Sequence, residues 1–198
     1  MIDIEERNKR FTWINILLHQ YDPEPSHAKQ VAKLALQFFD ELKSLHKLDS
    51  TAHDLLYASA LLHDIGWCNG ETKHHKNSMK LILSQKLPGW SDDEKALIAN
   101  IARYHRKTMP KMSHKRFARL ALHQQALVSQ LASLLRLADG LDRSHESVVD
   151  SVRCVIHRNK ITVWAQTKGD ASTEQYGFEK KKAMFEQYFS TPIQLLLT

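Results

Sequence analysis

The sequence is poor in cysteine and in long apolar runs, and each shortage excludes a class of protein. It has two cysteines, Cys68 and Cys154, and no C-x-x-C pair, which excludes a disulfide framework and a cysteine-held zinc site. No apolar run approaches the ~20 residues that a transmembrane helix needs. Residues 1–7 are rich in charge and lack the apolar core of a signal peptide. We therefore expect a cytoplasmic protein with no membrane partner.

Internal repeats, low-complexity tracts and long glycine–serine linkers are also absent. The 42% apolar and 25% charged residues are typical of a soluble globular protein, and 198 residues suffice for one domain, or one domain with a small appendage. The net charge of +6 favours anionic partners such as phosphates, polyphosphate or nucleic acid. The longest basic run, 180–182, is typical of a solvated helix face.

Apolar periodicity predicts successive helices from the N-terminus to about residue 145. Ser91 and Glu94 have the spacing of a capping box, and Gly66 can supply the left-handed residue that ends a helix. The predicted helices cover 8–19, 27–44, 51–65, 78–85, 91–105 and 117–141, the last with room for a break.

The periodicity changes to two after Ser151, which predicts a β-hairpin of strands 152–156 and 161–165. An amphipathic helix over 179–189 and a short strand over 193–197 follow. We therefore predict a mainly α protein: a helical bundle over 1–150 and a small α+β C-terminal appendage over 151–198, packed on it.

Two helices have metal-ligand residue types on their apolar side. His27 lies on the same face as Val31 and Leu34, so it points toward the core. His63 and Asp64 end a helix that is apolar nearly all round, where an isolated carboxylate is costly unless it is paired, protonated or bound to a metal. The alternatives are a buried histidine bonded to the backbone, and a helix-terminal aspartate in a local hydrogen bond.

Asp139 and His105 repeat this pattern. Asp139 continues an apolar stripe that includes Leu135, and His105 lies on the apolar side of its own helix. A helical salt bridge from Asp139 to Arg136 or Arg143 is the alternative. One divalent ion would satisfy several such buried groups together. The mixed imidazole–carboxylate set His27, His63, Asp64 and Asp139 suits Mn, Fe, Co, Ni, Zn or Mg.

Five motifs in order carry a resemblance to a known family. They read SHAKQVA at 26–32, ALLHDIG at 60–66, HHKNS at 74–78, IARYHRK at 101–107 and LRLADGLDRSH at 135–145. The H…HD…D pattern resembles the HD metal-dependent phosphohydrolase superfamily. The motifs are most similar to the C-terminal HD domain of the exopolyphosphatase and guanosine-pentaphosphate phosphohydrolase family. The resemblance covers nearly the whole chain.

The resemblance implies an HD-type helical bundle whose divalent ion is held by His27, His63, Asp64 and Asp139. It also implies that His74 and His105 bind a second metal or substrate phosphate, although Tyr104 stands where two-metal HD proteins often have a histidine. Asp64 and His105 are then the candidate catalytic residues. Basic side chains near these motifs are the candidates for binding a substrate phosphate: Lys73, His75, Arg103, Arg106, Lys107 and Arg143.

We expect the chain to stand without the actin-like N-terminal domains that perform the hydrolysis in that family, so that activity does not transfer. The favoured function is a metal-dependent phosphohydrolase that cleaves a phosphoester or phosphoanhydride with metal-activated water. Its substrate would be a nucleotide, an alarmone or a polyphosphate-like anion. The alternative is a non-catalytic module that binds polyphosphate or an alarmone and acts with a separate partner chain. Nucleic acid is less favoured because no RNA-binding signature is present, and a homo-oligomer is compatible with the sequence.

Overall fold

The computed structural model describes residues 4–198, so the first three residues of the charged N-terminus lie outside the described part. The described residues form ten α-helices, one short 3-10 helix and three strands. The helices of the first 150 residues are α1 (Ile4–Tyr21), α2 (Pro25–Glu41), α3 (Lys43–His46), α4 (Ser50–Leu61), the 3-10 helix (Ile65–Asn69), α5 (His74–Ser84), α6 (Asp92–Arg103), α7 (Lys115–Ala118) and α8 (Leu122–Gly140). The remainder forms β1 (Val149–Ile156), β2 (Ile161–Thr167), α9 (Ser172–Lys181), α10 (Ala183–Phe189) and β3 (Ile193–Leu197).

The mainly α fold with a small strand-containing C-terminal part is as predicted. The capping box is present, because Ser91 Oγ accepts from Glu94 N and the Glu94 carboxylate accepts from Ser91 N. Three predicted helices are each divided in the structure, and the first of them, 27–44, becomes α2 and α3. The segment 117–141 becomes α7 and α8, and α9 begins before residue 179 and is followed by a separate α10.

Gly66 has a different function from the one its position predicts. Helix α4 ends at Leu61, and Gly66 lies within the 3-10 helix without the left-handed backbone of a helix terminus. A Cβ at Gly66 would lie 2.2 Å from Ser78 N and 2.4 Å from His74 O. Glycine is therefore required because the 3-10 helix touches the backbone of α5 there, and this contact fixes the start of α5 beside Asp64.

The predicted hairpin and final strand form one three-stranded sheet of order β1-β2-β3. Strand β1 is antiparallel to β2, with Cys154 opposite Val163, and β3 is parallel to β2, with Leu195 opposite Val163. Side chains of α2 cover the outer edge of β1, since Gln37 and Glu41 accept from the β1 backbone. A domain division near residue 150 stays a prediction.

Helix α2 lies at the centre of the helical part, between α4 and α8. Its apolar face, which includes Val31, Leu34 and Phe38, is completely buried. Helix α5 packs on α6, and α9 packs on α8. This arrangement brings the start of α2, the end of α4, the start of α5 and the ends of α6 and α8 to one place. Within residues 4–198, no helix is both long and apolar enough to cross a membrane.

Candidate metal centre

Asp64 is the centre of a buried group of imidazoles. Its Oδ2 lies 3.9 Å from His27 Nε2 and 3.5 Å from His63 Nε2. Its Oδ1 lies 3.2 Å from His74 Nε2 and 3.5 Å from His105 Nε2. These contacts form two groups of three residues, each of which could hold a metal ion, and both groups include Asp64. They are His27–His63–Asp64 and Asp64–His74–His105, and all five residues are buried.

Each of the four histidines is oriented by a contact of its other ring nitrogen. His63 Nδ1 donates to Ala60 O at 2.6 Å, and His105 Nδ1 donates to Ala102 O at 2.7 Å. A carbonyl oxygen can only accept, so these bonds place a hydrogen on Nδ1 and turn Nε2 toward Asp64. His74 makes the equivalent contact with Glu71 O at 3.1 Å. This arrangement is usual for histidines that ligate a metal through Nε2.

His27 is oriented by a carboxylate instead of a carbonyl. Its Nδ1 lies 2.8 Å from Asp142 Oδ2, and its Nε2 lies 3.6 Å from Asp139 Oδ1. Asp142 is fully buried, and its other oxygen accepts from Ser147 N. The His145 ring covers His27, with centroids 3.7 Å apart and nearly parallel planes. His27 therefore has one fixed orientation.

The first group fits a divalent ion, because its inward atoms have no hydrogen-bond partner. Its two imidazole nitrogens, His27 Nε2 and His63 Nε2, are buried without one and both face Asp64 Oδ2, whereas Asp64 Oδ1, which also has no partner, faces the second group. Buried polar atoms are normally satisfied, so each such atom calls for an explanation. Ligands about 2.0–2.2 Å from an ion lie roughly 3–3.5 Å from each other, which the His63–Asp64 separation of 3.5 Å matches. These buried histidine and aspartate groups could hold a metal ion.

The second group differs, because a cation of the protein already contacts it. Arg106 Nη1 lies 3.0 Å from His74 Nε2, so the guanidinium donates to the atom that would ligate an ion. The Trp67 ring stacks on His74, with centroids 4.7 Å apart, and the His105 ring lies parallel on the other side at 5.5 Å. The second group is thus better suited to an anion beside Arg106 than the first group is.

The charges of the centre are strongly coupled. Burial acts to lower the pKa of His27, but its contacts with Asp139 and Asp142 outweigh burial and raise the pKa to about 10. Burial acts to raise the pKa of Asp64, yet the neighbouring imidazoles lower it to about 2. Burial lowers the pKa of His105 well below its usual value, which favours the neutral ring. In the absence of an ion, a proton on His27 balances part of the carboxylate charge.

Asp139 does not form either salt bridge that its helix spacing allows. Its Oδ2 contacts Lys181 Nζ from α9, and its Oδ1 faces His27. Arg136 instead donates to Lys107 O at 2.7 Å, and the Arg143 guanidinium lies over the Tyr176 ring. The prediction of a solvated face for 180–182 is therefore wrong for Lys181. Helix α9 crosses α8 at this point and turns Lys181 inward.

A cavity of about 280 Å³ opens on the side of Asp64 that carries the second group. A second cavity of about 440 Å³ lies on the His27 side. The two share Asp64, Trp67 and His145. The first is lined by Asp64, Trp67, His74, His105, Arg106, Asp139, Arg143, His145, Thr173 and Lys181. None of the lining residues belongs to the hairpin.

The predicted phosphate-binding residues are only partly brought together. Arg106 and Arg143 line the cavity. His75 is buried behind His74 and His105, and burial together with nearby cations lowers its pKa to about 4. Arg103 lines a different pocket, with Tyr104 and His114. Lys73 and Lys107 are exposed and do not line the cavity.

Three residues of the centre were not identified from the sequence. Asp142 and His145 belong to the last motif, and Asp142 lies three residues after Asp139, a spacing that could have indicated a second carboxylate on that side. Lys181 is one of three adjacent lysines. No periodic signal distinguishes it from its neighbours.

The fold and the site define a mainly helical protein with a buried histidine–aspartate centre of the kind that could hold a divalent metal. A comparison with protein families identifies which one. The model of the Ppx/GppA phosphatase, domain III matches residues 10–173, so the chain belongs to that family. This confirms the resemblance found from the five motifs, and the matched range extends from α1 into α9.

Proposed function

We propose that this protein is a metal-dependent phosphohydrolase that cleaves a phosphoester or a phosphoanhydride. His27, His63, Asp64 and Asp139 would hold one divalent ion. His74 and His105 would bind either a second ion or a phosphate of the substrate. Membership of a phosphatase family supports the general class of reaction, and the chemistry of the site supports the rest.

One observation carries this proposal: His27 Nε2 and His63 Nε2 are buried without a hydrogen-bond partner, and both face Asp64 Oδ2. If these residues were structural, their polar atoms would be paired, because an unpaired buried group costs about 1–3 kcal/mol. A single cation between these two nitrogens and Asp64 accounts for both.

In the proposed reaction the ion and the residues around it have different roles. A divalent ion supplies a bound water of lowered pKa and polarises a phosphoryl oxygen. Asp142 and the Ala60 carbonyl hold the rings of His27 and His63 in place through Nδ1. Arg106 and Arg143 line the cavity and would hold the substrate phosphate by charge-assisted hydrogen bonds. Trp67 stacks on His74, with ring centroids 4.7 Å apart, and lines the same cavity.

The substrate we propose is a small anion rich in phosphate, such as a nucleotide, an alarmone or a short polyphosphate. The cavity of about 280 Å³ has room for one or two phosphate groups beside Asp64, and its lining includes Arg106, Arg143 and Lys181. The same cations would suit a module that binds such an anion without cleaving it. Turnover in the presence of metal separates the two functions.

The test compares two aspartates that are equally buried. Asp64 and Asp54 have side chains 10% and 8% exposed, but Asp54 is paired with Arg7 and lies outside the cavity. Protein purified without chelator is analysed for metal, and phosphate release from a substrate panel is measured with Mn, Mg, Fe, Ni and Co added separately. We expect about one ion per chain and metal-dependent phosphate release. Asp64→Asn should abolish both, whereas Asp54→Asn should affect only stability.

A wild-type protein that takes up none of these ions would refute the metal centre. Metal uptake and anion binding without any phosphate release would favour the binding module.

A further inference from the structure

The three adjacent lysines at 180–182 have different surroundings. Lys180 is exposed, with its Nζ over the Tyr176 ring. Lys182 pairs with Glu179 and Glu186 on the helix surface. Lys181 alone of the three lines the cavity, where its Nζ contacts Asp139. A lysine so placed, with a side chain only 16% exposed, is unusual enough to require a reason.

A close crossing of two helices places Lys181 at this position. Helix α8 meets α9 at Gly140 and Gly177, where a Cβ on Gly177 would lie 2.2 Å from Gly140 O. Gly140 follows Asp139 directly, and Lys181 follows Gly177 by four residues, about one helical turn. The glycine contact therefore brings the last residue of α9 level with the aspartate at the end of α8.

The contacts of Asp139 show where the ammonium lies relative to the metal group. One carboxylate oxygen faces His27, and the other contacts Lys181. Lys181 is thus at the boundary between the first group and the open cavity, which Arg106 and Arg143 also line. An ammonium has three donors, and Asp139 is the one carboxylate that the described residues place against it. The remaining donors can reach an anion in the cavity.

We propose that Lys181 binds the phosphoryl oxygens of the substrate, so that the segment 151–198 completes the active site. This inference rests on the proposed function and names a residue of that same site. A phosphate in the cavity beside Asp64 would lie near Lys181, which lines the same cavity. The Lys181 ammonium neutralises part of the phosphate charge with its free donors and remains in contact with Asp139. The competing explanation is that Lys181 only holds Asp139 in place.

Lys181→Met tests this against Lys180→Met, the matched change one residue away on the exposed side. Binding of inorganic phosphate is measured by calorimetry with and without Mn, and Mn affinity is measured by competition with a chelator. We expect Lys181→Met to weaken phosphate binding tenfold or more while Mn affinity changes less than threefold. Lys181→Arg should restore part of the phosphate binding, and Lys180→Met should change neither quantity. Should Lys181→Met fail to fold, Lys181→Gln, which keeps a donor for Asp139, gives the same comparison.

The outcomes separate this inference from the proposed function. Failure of the wild type to take up Mn refutes the metal centre, and the phosphate measurements without Mn still report on Lys181. Phosphate binding that does not depend on Lys181 in either condition, or that is absent, overturns the inference. A parallel loss of Mn and phosphate affinity also overturns it, because Lys181 would then act only through Asp139.

Discussion

His27 and Asp142 are joined by a contact of 2.8 Å between Nδ1 and Oδ2, although 115 residues separate them in the sequence. The carboxylate fixes the ring so that Nε2 points at Asp64 and Asp139. An imidazole oriented in this way by a carboxylate is a stronger and better-directed ligand than a free one. The start of α2 and the end of α8 are thus connected through the centre itself.

We expect Asp142→Asn to weaken metal binding without removing a ligand. The amide can still accept from His27 Nδ1, but it lacks the charge that strengthens the ligand, and a loss of about 10–100-fold in affinity is typical of such changes. Competition with a chelator measures the affinity. The control is Asp54→Asn, which removes a buried carboxylate outside the cavity. An unchanged affinity in Asp142→Asn would mean that His27 is not a ligand.

Asp139→Asn should destabilise the metal-free protein more than Asp64→Asn does. It leaves the Lys181 ammonium inside without its carboxylate, and breaking one partner of such a pair costs about 3–5 kcal/mol. Asp64 faces imidazoles instead of a lysine, so its replacement leaves no ammonium without its carboxylate. Both variants should lose the rise in melting temperature that Mn produces in the wild type.

A thermodynamic cycle tests the contact between Asp139 and Lys181. Urea denaturation gives the stability of the wild type, of each single variant and of the double variant Asp139→Asn/Lys181→Met. The double variant should recover part of the stability that Asp139→Asn loses. If the two single losses simply add, the contact between Asp139 and Lys181 does not contribute to stability.

Gly66→Ala should destabilise the protein by about 1–3 kcal/mol or more, because its Cβ would overlap the backbone of α5. The chain offers a matched control in Gly169, around which a Cβ would meet nothing within 4 Å and whose φ is not positive. Chemical denaturation of Gly66→Ala and Gly169→Ala measures the difference. Metal affinity should fall as well in Gly66→Ala, since the clash displaces the chain around Asp64, two residues before Gly66. Equal stabilities of the two variants would contradict this account of Gly66.

His46 should make the protein less stable in mild acid. Burial lowers its pKa, its Nε2 donates to Phe39 O at 2.7 Å and its Nδ1 accepts from Leu48 N at 2.9 Å, a pattern that only the neutral ring can make. The unfolded state takes up a proton on His46 near pH 6.5, whereas the folded state does not. The free energy of unfolding is therefore unaffected by His46 above that pH and falls as the pH drops below it.

The slope that His46 contributes is at most about 1.4 kcal/mol per pH unit, the value for one proton. The free energy of unfolding is measured against pH between 7.5 and 5 for the wild type and His46→Gln. The variant should show a shallower decline, and NMR titration of the wild-type His46 ring should give a midpoint below 6.5. Identical pH slopes would show that His46 does not remain neutral in the folded protein.

The class of the fold and most of the centre's residues could be predicted from spacing along the chain. Apolar residues recur every 3.6 positions in a helix and every 2 in a strand because of local backbone geometry. The helical part, the hairpin and the inward faces of His27, His105 and Asp139 could therefore be predicted from spacing. His63 and Asp64 could be singled out because ionisable groups at the end of an apolar helix need a partner.

Which partners these residues contact depends on how the helices pack. Spacing along α8 offers Asp139 an arginine, but the crossing at Gly140 and Gly177 supplies Lys181 from a helix 42 residues away. The contact between His27 and Asp142 depends on how helices distant in the sequence pack. The same packing places Arg103 in a different pocket. Periodicity specifies the direction in which a side chain points, whereas the distance between two side chains is set by the packing of the whole core.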